Sequence, residues 1–175
     1  MSFYQSLAKT GTRYFGKAFL FKHGFNLSPM YRRSTARITK VTGDMLKVKI
    51  RLPLSYKNSN YVGSIFGGSM FSAVDPIPMV QLINLLDENY VVWDKSAEIS
   101  FRIPAREDLY AEFTYTEEEL AEIKARIASE REIDIVKVTR LTDKTGSKVF
   151  CEVRKTVYVA DKDYYREKRA ARRKK

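Results

Sequence analysis

Asp75 is the first residue to explain. It stands in "GSMFSAVDPIPMVQLI", where no other side chain is charged. A carboxylate in such a place can act as a base or a nucleophile in a site. Just upstream, Gly67 and Gly68 follow Phe66 at the start of a helical-looking segment. A Gly-Gly turn there lets another group approach the backbone closely and points N–H groups outward. Outward N–H groups at a helix start can polarise a carbonyl oxygen, aided by the helix dipole. A second reading of Asp75 stays open. Pro76 follows it, and proline suits the first position of a helix, so Asp75 can instead be an N-cap over a helix covering 76–87. The two readings predict either one long helix kinked at Pro76 or two helical pieces.

The other reactive side chains offer less. Ser64 and Ser69 flank the glycine turn, but no suitable histidine completes a triad. The single histidine, His23, has no evident acid or nucleophile nearby. The single cysteine, Cys151, lies on a strand face with Val149, Val153, Val157 and Val159, so it reads as core. One His and one Cys cannot build a typical zinc site, and carboxylate-rich clusters for magnesium or calcium are missing, so no metal is expected. Asp94 and Lys95 point to opposite faces of a strand. Trp93 beside them reads as core.

These residues need elements to hold them. "ARITKV" and "LKVKIRL" alternate in polarity around Gly43-Asp44 and predict an antiparallel hairpin. Residues 67–87 are apolar on nearly every side, as a buried helix is. "VVWDKSAEISFRIP" and "LYAEFTYT" alternate again. Thr116 and Glu119 make a capping box, and Leu120, Ile123 and Ile127 form a stripe, predicting a helix over about 117–129. "IDIVKVTRL" and "KVFCEVRKTVYV" flank a turn containing Gly146. The fold class is therefore α+β: an antiparallel sheet of about six strands around a long central helix. One sheet covers only one side of that helix, so a symmetric partner is expected on the other.

The chain has 175 residues, enough for one domain with a real core. The segment 1–33 reads as helical and basic, 34–160 as the domain, and 161–175 as a solvated, partly disordered basic tail. Of the net charge of +11, residues 1–43 carry +8 and residues 162–175 carry +6, leaving −3 between 44 and 161. Basic ends suggest a polyanion: an anionic membrane, nucleic acid or substrate phosphates. Residues 3–22 can form a helix packed on the domain or lying weakly on anionic lipid. No specific nucleic acid is expected, because the basic tail has few aromatics beside it. No apolar run is long enough to span a bilayer, no secretory leader is evident, and a lone cysteine needs no oxidising compartment, so a cytoplasmic location is expected.

"NYVGSIFGGSMFSAVD" resembles the signature of hot-dog-fold acyl-CoA thioesterases of the phenylacetic-acid-pathway type. Asn60, Gly63, Gly67, Gly68 and Asp75 fall on its positions, and Phe66 stands where that family has His. The element order agrees from about 34 to 160. The resemblance implies a homodimer with one continuous sheet and with sites at the interface; whether dimers pair into a tetramer stays open. It implies acyl-CoA or a related acyl thioester as substrate, with coenzyme A entering as part of the substrate and no separate cofactor. In that frame Asp75 is base or nucleophile, Gly68 N–H is the oxyanion donor, Asn60 helps place the attacking water, and Gly63, Phe66 and Gly67 line the substrate. The Phe for His exchange keeps a second reading open: a non-catalytic module that binds acyl chains or lipids.

Overall fold

The computed structural model describes residues 16–173. Helix α1 (Lys17–Leu27) and the short α2 (Pro29–Arg32) lead into a hairpin of β1 (Arg37–Val41) and β2 (Lys47–Leu52). Helices α3 (Gly67–Val74) and α4 (Pro76–Leu85) follow, then β3 (Tyr90–Phe101), β4 (Leu109–Thr114), α5 (Glu117–Glu130), β5 (Glu132–Thr142), β6 (Val149–Asp161) and α6 (Lys162–Arg173). The six strands form one antiparallel sheet in the order β1-β2-β4-β5-β6-β3. This is the expected α+β arrangement.

Alternation sets which face of each strand is buried. On β2, Val48, Ile50 and Leu52 are buried and the lysines and arginine between them are exposed. On β6 the inner face carries Cys151, Val153, Val157 and Val159, all nearly solvent-free. Burial pushes the Cys151 thiol up to about 11, so it is inert core. Two apolar clusters fill the space under the sheet. One holds Met70, Val74, Ile77, Cys151 and Val153; the other holds Leu82, Ile123, Ile127, Val157 and Val159.

Both ends of the described chain join this body. Phe21 and Phe25 of α1 and Tyr31 of α2 are buried in the first cluster. Residues 3–15 of the expected N-terminal helix lie outside the described residues. Asn26 on α1 binds the edge of β1, its side chain exchanging two hydrogen bonds with the Ile38 backbone (2.9 and 2.8 Å). At the other end, where the sequence reads as a solvated tail, α6 is helical. Asp161 caps it by accepting from Tyr164 N–H at 2.9 Å, Tyr165 packs edge-on against Trp93, and Lys168 pairs with Glu132. Among the described residues, no helix is long and apolar enough to cross a membrane.

Candidate functional site

The central helix is broken where Asp75 meets Pro76. Pro76 and Pro78 lack N–H groups, so the carbonyls four residues before each lose their helical donors. Asp75 nevertheless keeps helical dihedrals (φ −48°, ψ −54°), and its N–H bonds Phe71 O at 2.9 Å. Its side chain makes no capping bond. The N-cap geometry is therefore absent, and the two helices form one kinked rod. Side chains from elsewhere supply donors along the kink: Tyr31 Oη to Ala73 O (3.0 Å), Tyr115 Oη to Pro78 O (3.1 Å) and Lys155 Nζ to Asp75 O.

Lys155 answers the question that Asp75 raises. Its Nζ also bonds Asp75 Oδ1 at 2.5 Å and Asp94 Oδ2 at 2.8 Å. The lysine side chain is only 3% exposed, whereas the Asp75 side chain is 40% exposed. One ammonium inside the fold thus fixes two partly exposed carboxylates, Asp75 the more open of the two. Lys155 sits on the inner face of β6 between Val153 and Val157, where the two apolar clusters meet. That position holds a residue that ordinarily requires water, and it is tolerable because two carboxylates and a carbonyl surround it.

Asp94 bears the cost of that burial. Desolvation pushes its carboxyl above the usual aspartate range; Lys155 pulls it back down, and the nearby Asp75 charge pushes it up. Its Oδ1 is buried with no hydrogen-bond partner among the described residues. A desolvated carboxylate with a specific charged neighbour is a hallmark of functional sites. Asp94 faces inward and Lys95 outward, where Lys95 pairs with Asp134; a bulge lies between Asp94 and Ser96. Neither Lys155 nor the role of Asp94 emerged from the sequence. The signal for Lys155 was its place in the Val153–Val157 alternation.

The glycine turn is built differently. Phe66 N–H bonds Asn58 O (2.7 Å) and Ile65 N–H bonds Ala105 O (2.8 Å), fixing the approach to α3. Gly67 and Gly68 are its first two residues, so their N–H groups have no carbonyl acceptor within the helix. Two exposed rings crowd them. A Cβ on Gly67 would lie 2.7 Å from the Phe101 ring, and one on Gly68 would lie 2.3 Å from the Phe66 ring. Asn60 organises its own loop: its Oδ1 accepts from Val62 N–H (3.1 Å) and Ser64 N–H (3.0 Å), and its Nδ2 donates to Ser64 Oγ (2.9 Å). Gly63 has φ +74°, a left-handed turn that this loop demands. Buried Asn58, which the sequence did not single out, ties the loop to the body through Thr35 and Pro53.

Gly68 and Asp75 are seven residues apart, so they share a face of the rod and stand about 10 Å apart along it. One chain cannot bring both to a single carbonyl carbon. Nearby, among the described residues, β3 hydrogen-bonds only to β6 and forms an edge of the sheet.

The same architecture occurs in solved structures. A Pseudomonas aeruginosa protein described as of unknown function and a probable thioesterase aligns with a TM-score of 0.71 at 21% identity, covering 81% of this chain and 94% of that one. A Haemophilus influenzae thioesterase gives 0.56 at 14% identity, over 81% and 88%. A mutant thioesterase from Staphylococcus aureus gives 0.55 at 12%, over 76% and 99%. At these identities the likeness shows the fold, which is the hot-dog fold. No curated protein matches the chain. A family model described as a domain of unknown function, DUF4442, matches residues 16–159, and the chain belongs to that family.

Proposed function

We propose that the protein hydrolyses acyl thioesters, with acyl-CoA as the substrate class, at sites shared between two copies of the chain. The observation that carries this reading is the half-exposed Asp75 carboxylate held by buried Lys155, on the helix face that begins with the Gly67–Gly68 turn. Asp75 would act as base or nucleophile. Gly68 N–H would receive the negative charge developing on the thioester oxygen, and the roughly 10 Å separation is bridged when that glycine belongs to the partner. Lys155 and Asp94 would be positioning residues: they set where the Asp75 carboxylate points. Asn60 would shape the loop and, with Gly63, Phe66 and Gly67, border the acyl group. The exposed edge of β3 would be the seam of the homodimer.

A second reading has an observation of its own. The Phe66 ring lies against Gly68, 2.3 Å from where a Cβ would stand, and so crowds the glycine turn. If it stays there, the protein binds acyl chains without turning them over. Thiol release from short, medium, long and aromatic acyl-CoAs separates the two. Turnover of at least one class supports the hydrolase. Saturable acyl-CoA binding with no thiol release supports the binding module.

A further inference from the structure

Trp93 and Asp94 are neighbours on β3 but face opposite sides of the sheet, and the outer side holds a second site. There α6 lies across β3, β5 and β6 and encloses a groove of about 450 Å³. Its floor is aromatic. Trp93 and Tyr158 stack with ring centroids 4.8 Å apart at 20°, and Tyr165 meets Trp93 edge-on at 5.0 Å. Its charged wall is basic. Tyr165, Arg169 and Arg172 line it at helical spacing of four and three residues.

The charge in the groove is not balanced from within. Lys95 pairs with Asp134, and Lys168 with Glu132. Lys168, and then the Tyr158 hydroxyl, hold the Glu132 carboxyl below its usual range. Burial, followed by Glu132, pushes the Tyr158 phenol up, so it remains a donor to that carboxylate. Both acids of the groove are thus already engaged. Arg169 and Arg172 make no ion pair among the described residues, although Arg172 adds a smaller pull on the Glu132 carboxyl that Lys168 already holds. Two guanidinium groups one turn apart, above a floor of flat rings, match an organic phosphate with a planar body. Tyr158 is buried against Trp93, so a planar base would stack on the ring surface that Trp93 leaves exposed (38%), whereas a flexible acyl chain has no matching flat face.

We propose that this groove binds a nucleotide, its base on the Trp93 side and its phosphates against Arg169 and Arg172. The ligand is either a free nucleotide or the nucleotide end of a larger molecule such as coenzyme A. The site is on the opposite face of the sheet from Asp75 and does not depend on the hydrolytic reading. Trp93 is the only tryptophan in the chain, so its fluorescence reports the groove directly.

The full-length protein is titrated with ADP, coenzyme A and inorganic pyrophosphate while Trp93 emission is followed. Saturable changes with ADP and coenzyme A are expected, with pyrophosphate weaker. An Arg169→Ala/Arg172→Ala double variant, at exposed positions and checked for native circular dichroism, should weaken binding about tenfold or more. Comparable ADP and coenzyme A affinities point to the free nucleotide as sufficient; binding of coenzyme A alone points to the conjugate. Three results would overturn the proposal: no saturable change with either nucleotide, pyrophosphate binding as tightly as ADP, or a double variant that binds like the parent.

Discussion

Lys155 carries an ammonium into a nearly dry position, and its worth lies in its partners. Removing one member of a buried pair leaves the remaining charge uncompensated, at a cost of about 3–5 kcal/mol. Here Asp75 can turn to water and Asp94 is only partly enclosed, with its Oδ1 buried, so Lys155→Met should cost about 3 kcal/mol, at the low end. Urea unfolding measures it. Adding Asp94→Leu to Lys155→Met should recover part of the loss, because the orphaned carboxylate goes too; a double variant less stable than the single would contradict this account. The sequence made this cluster only half legible. Asp75 stood out as a lone charge in an apolar stretch. Lys155 did not, because its partner lies 80 residues away and no local pattern links them. Asn60 matched the expected motif, yet its side chain is occupied in its own loop, a bonding pattern that motif matching does not reveal.

At the scale of elements, local rules worked where local bonds decide. Thr116 caps α5 as its spacing implied, accepting from Glu119 N–H at 3.1 Å. The reciprocal half of the capping box is not made, because the Glu119 carboxylate instead pairs with Lys137 at 2.8 Å. Thr116→Ala should therefore lower stability by about 1 kcal/mol, the value of a single cap, read from the shift in urea midpoint. The β5–β6 turn offers a test in pH. Asp143 accepts from Thr145 and Ser147 hydroxyls and from Lys148 N–H, and these bonds, led by Thr145, hold its carboxyl down at about 2. A carboxyl lowered on folding stabilises the fold above its unfolded value and loses that contribution as pH falls toward the folded one. Asp143→Ala should thus unfold more readily than the parent at pH 7, and the gap should close between about pH 4 and pH 2. A gap that persists at pH 2 would show the turn does not depend on this charge. The kink in the central helix was also foreseeable from Pro76 and Pro78. That Asp75 would keep helical dihedrals was not, since the side chains that hold the kinked segment, Tyr31, Tyr115 and Lys155, reach its carbonyls from across the fold.

For the whole molecule, the two edges of the sheet differ. The β1 edge is closed by α1 through Asn26. The β3 edge spans twelve residues and is largely solvent-facing. Phe101 at its end is 56% exposed, and Phe66 beside it 58%. Long open edges next to exposed rings are where a second copy adds its own strand. The protein should therefore be dimeric by light scattering. Phe101→Asp should shift it to monomer while changing monomer stability by no more than about 0.5 kcal/mol, as expected at a surface position. A parent protein that is monomeric at high concentration would remove the shared site from the account. The overall α+β architecture was readable because alternation and helical stripes report burial directly. The helix at the C-terminus was not, since "KDYYREKRAARRKK" reads as a solvated charge run until Tyr165 meets Trp93 and Lys168 meets Glu132.

The role of Asp75 is tested by kcat/KM for thiol release from the best acyl-CoA substrate, measured for the parent and for Asp75→Asn at matched dimer content. The variant should lose about 10²-fold or more, with unchanged circular dichroism. Undiminished turnover in a folded Asp75→Asn protein would contradict that role and leave Asp75 as no more than the counter-charge of a buried lysine.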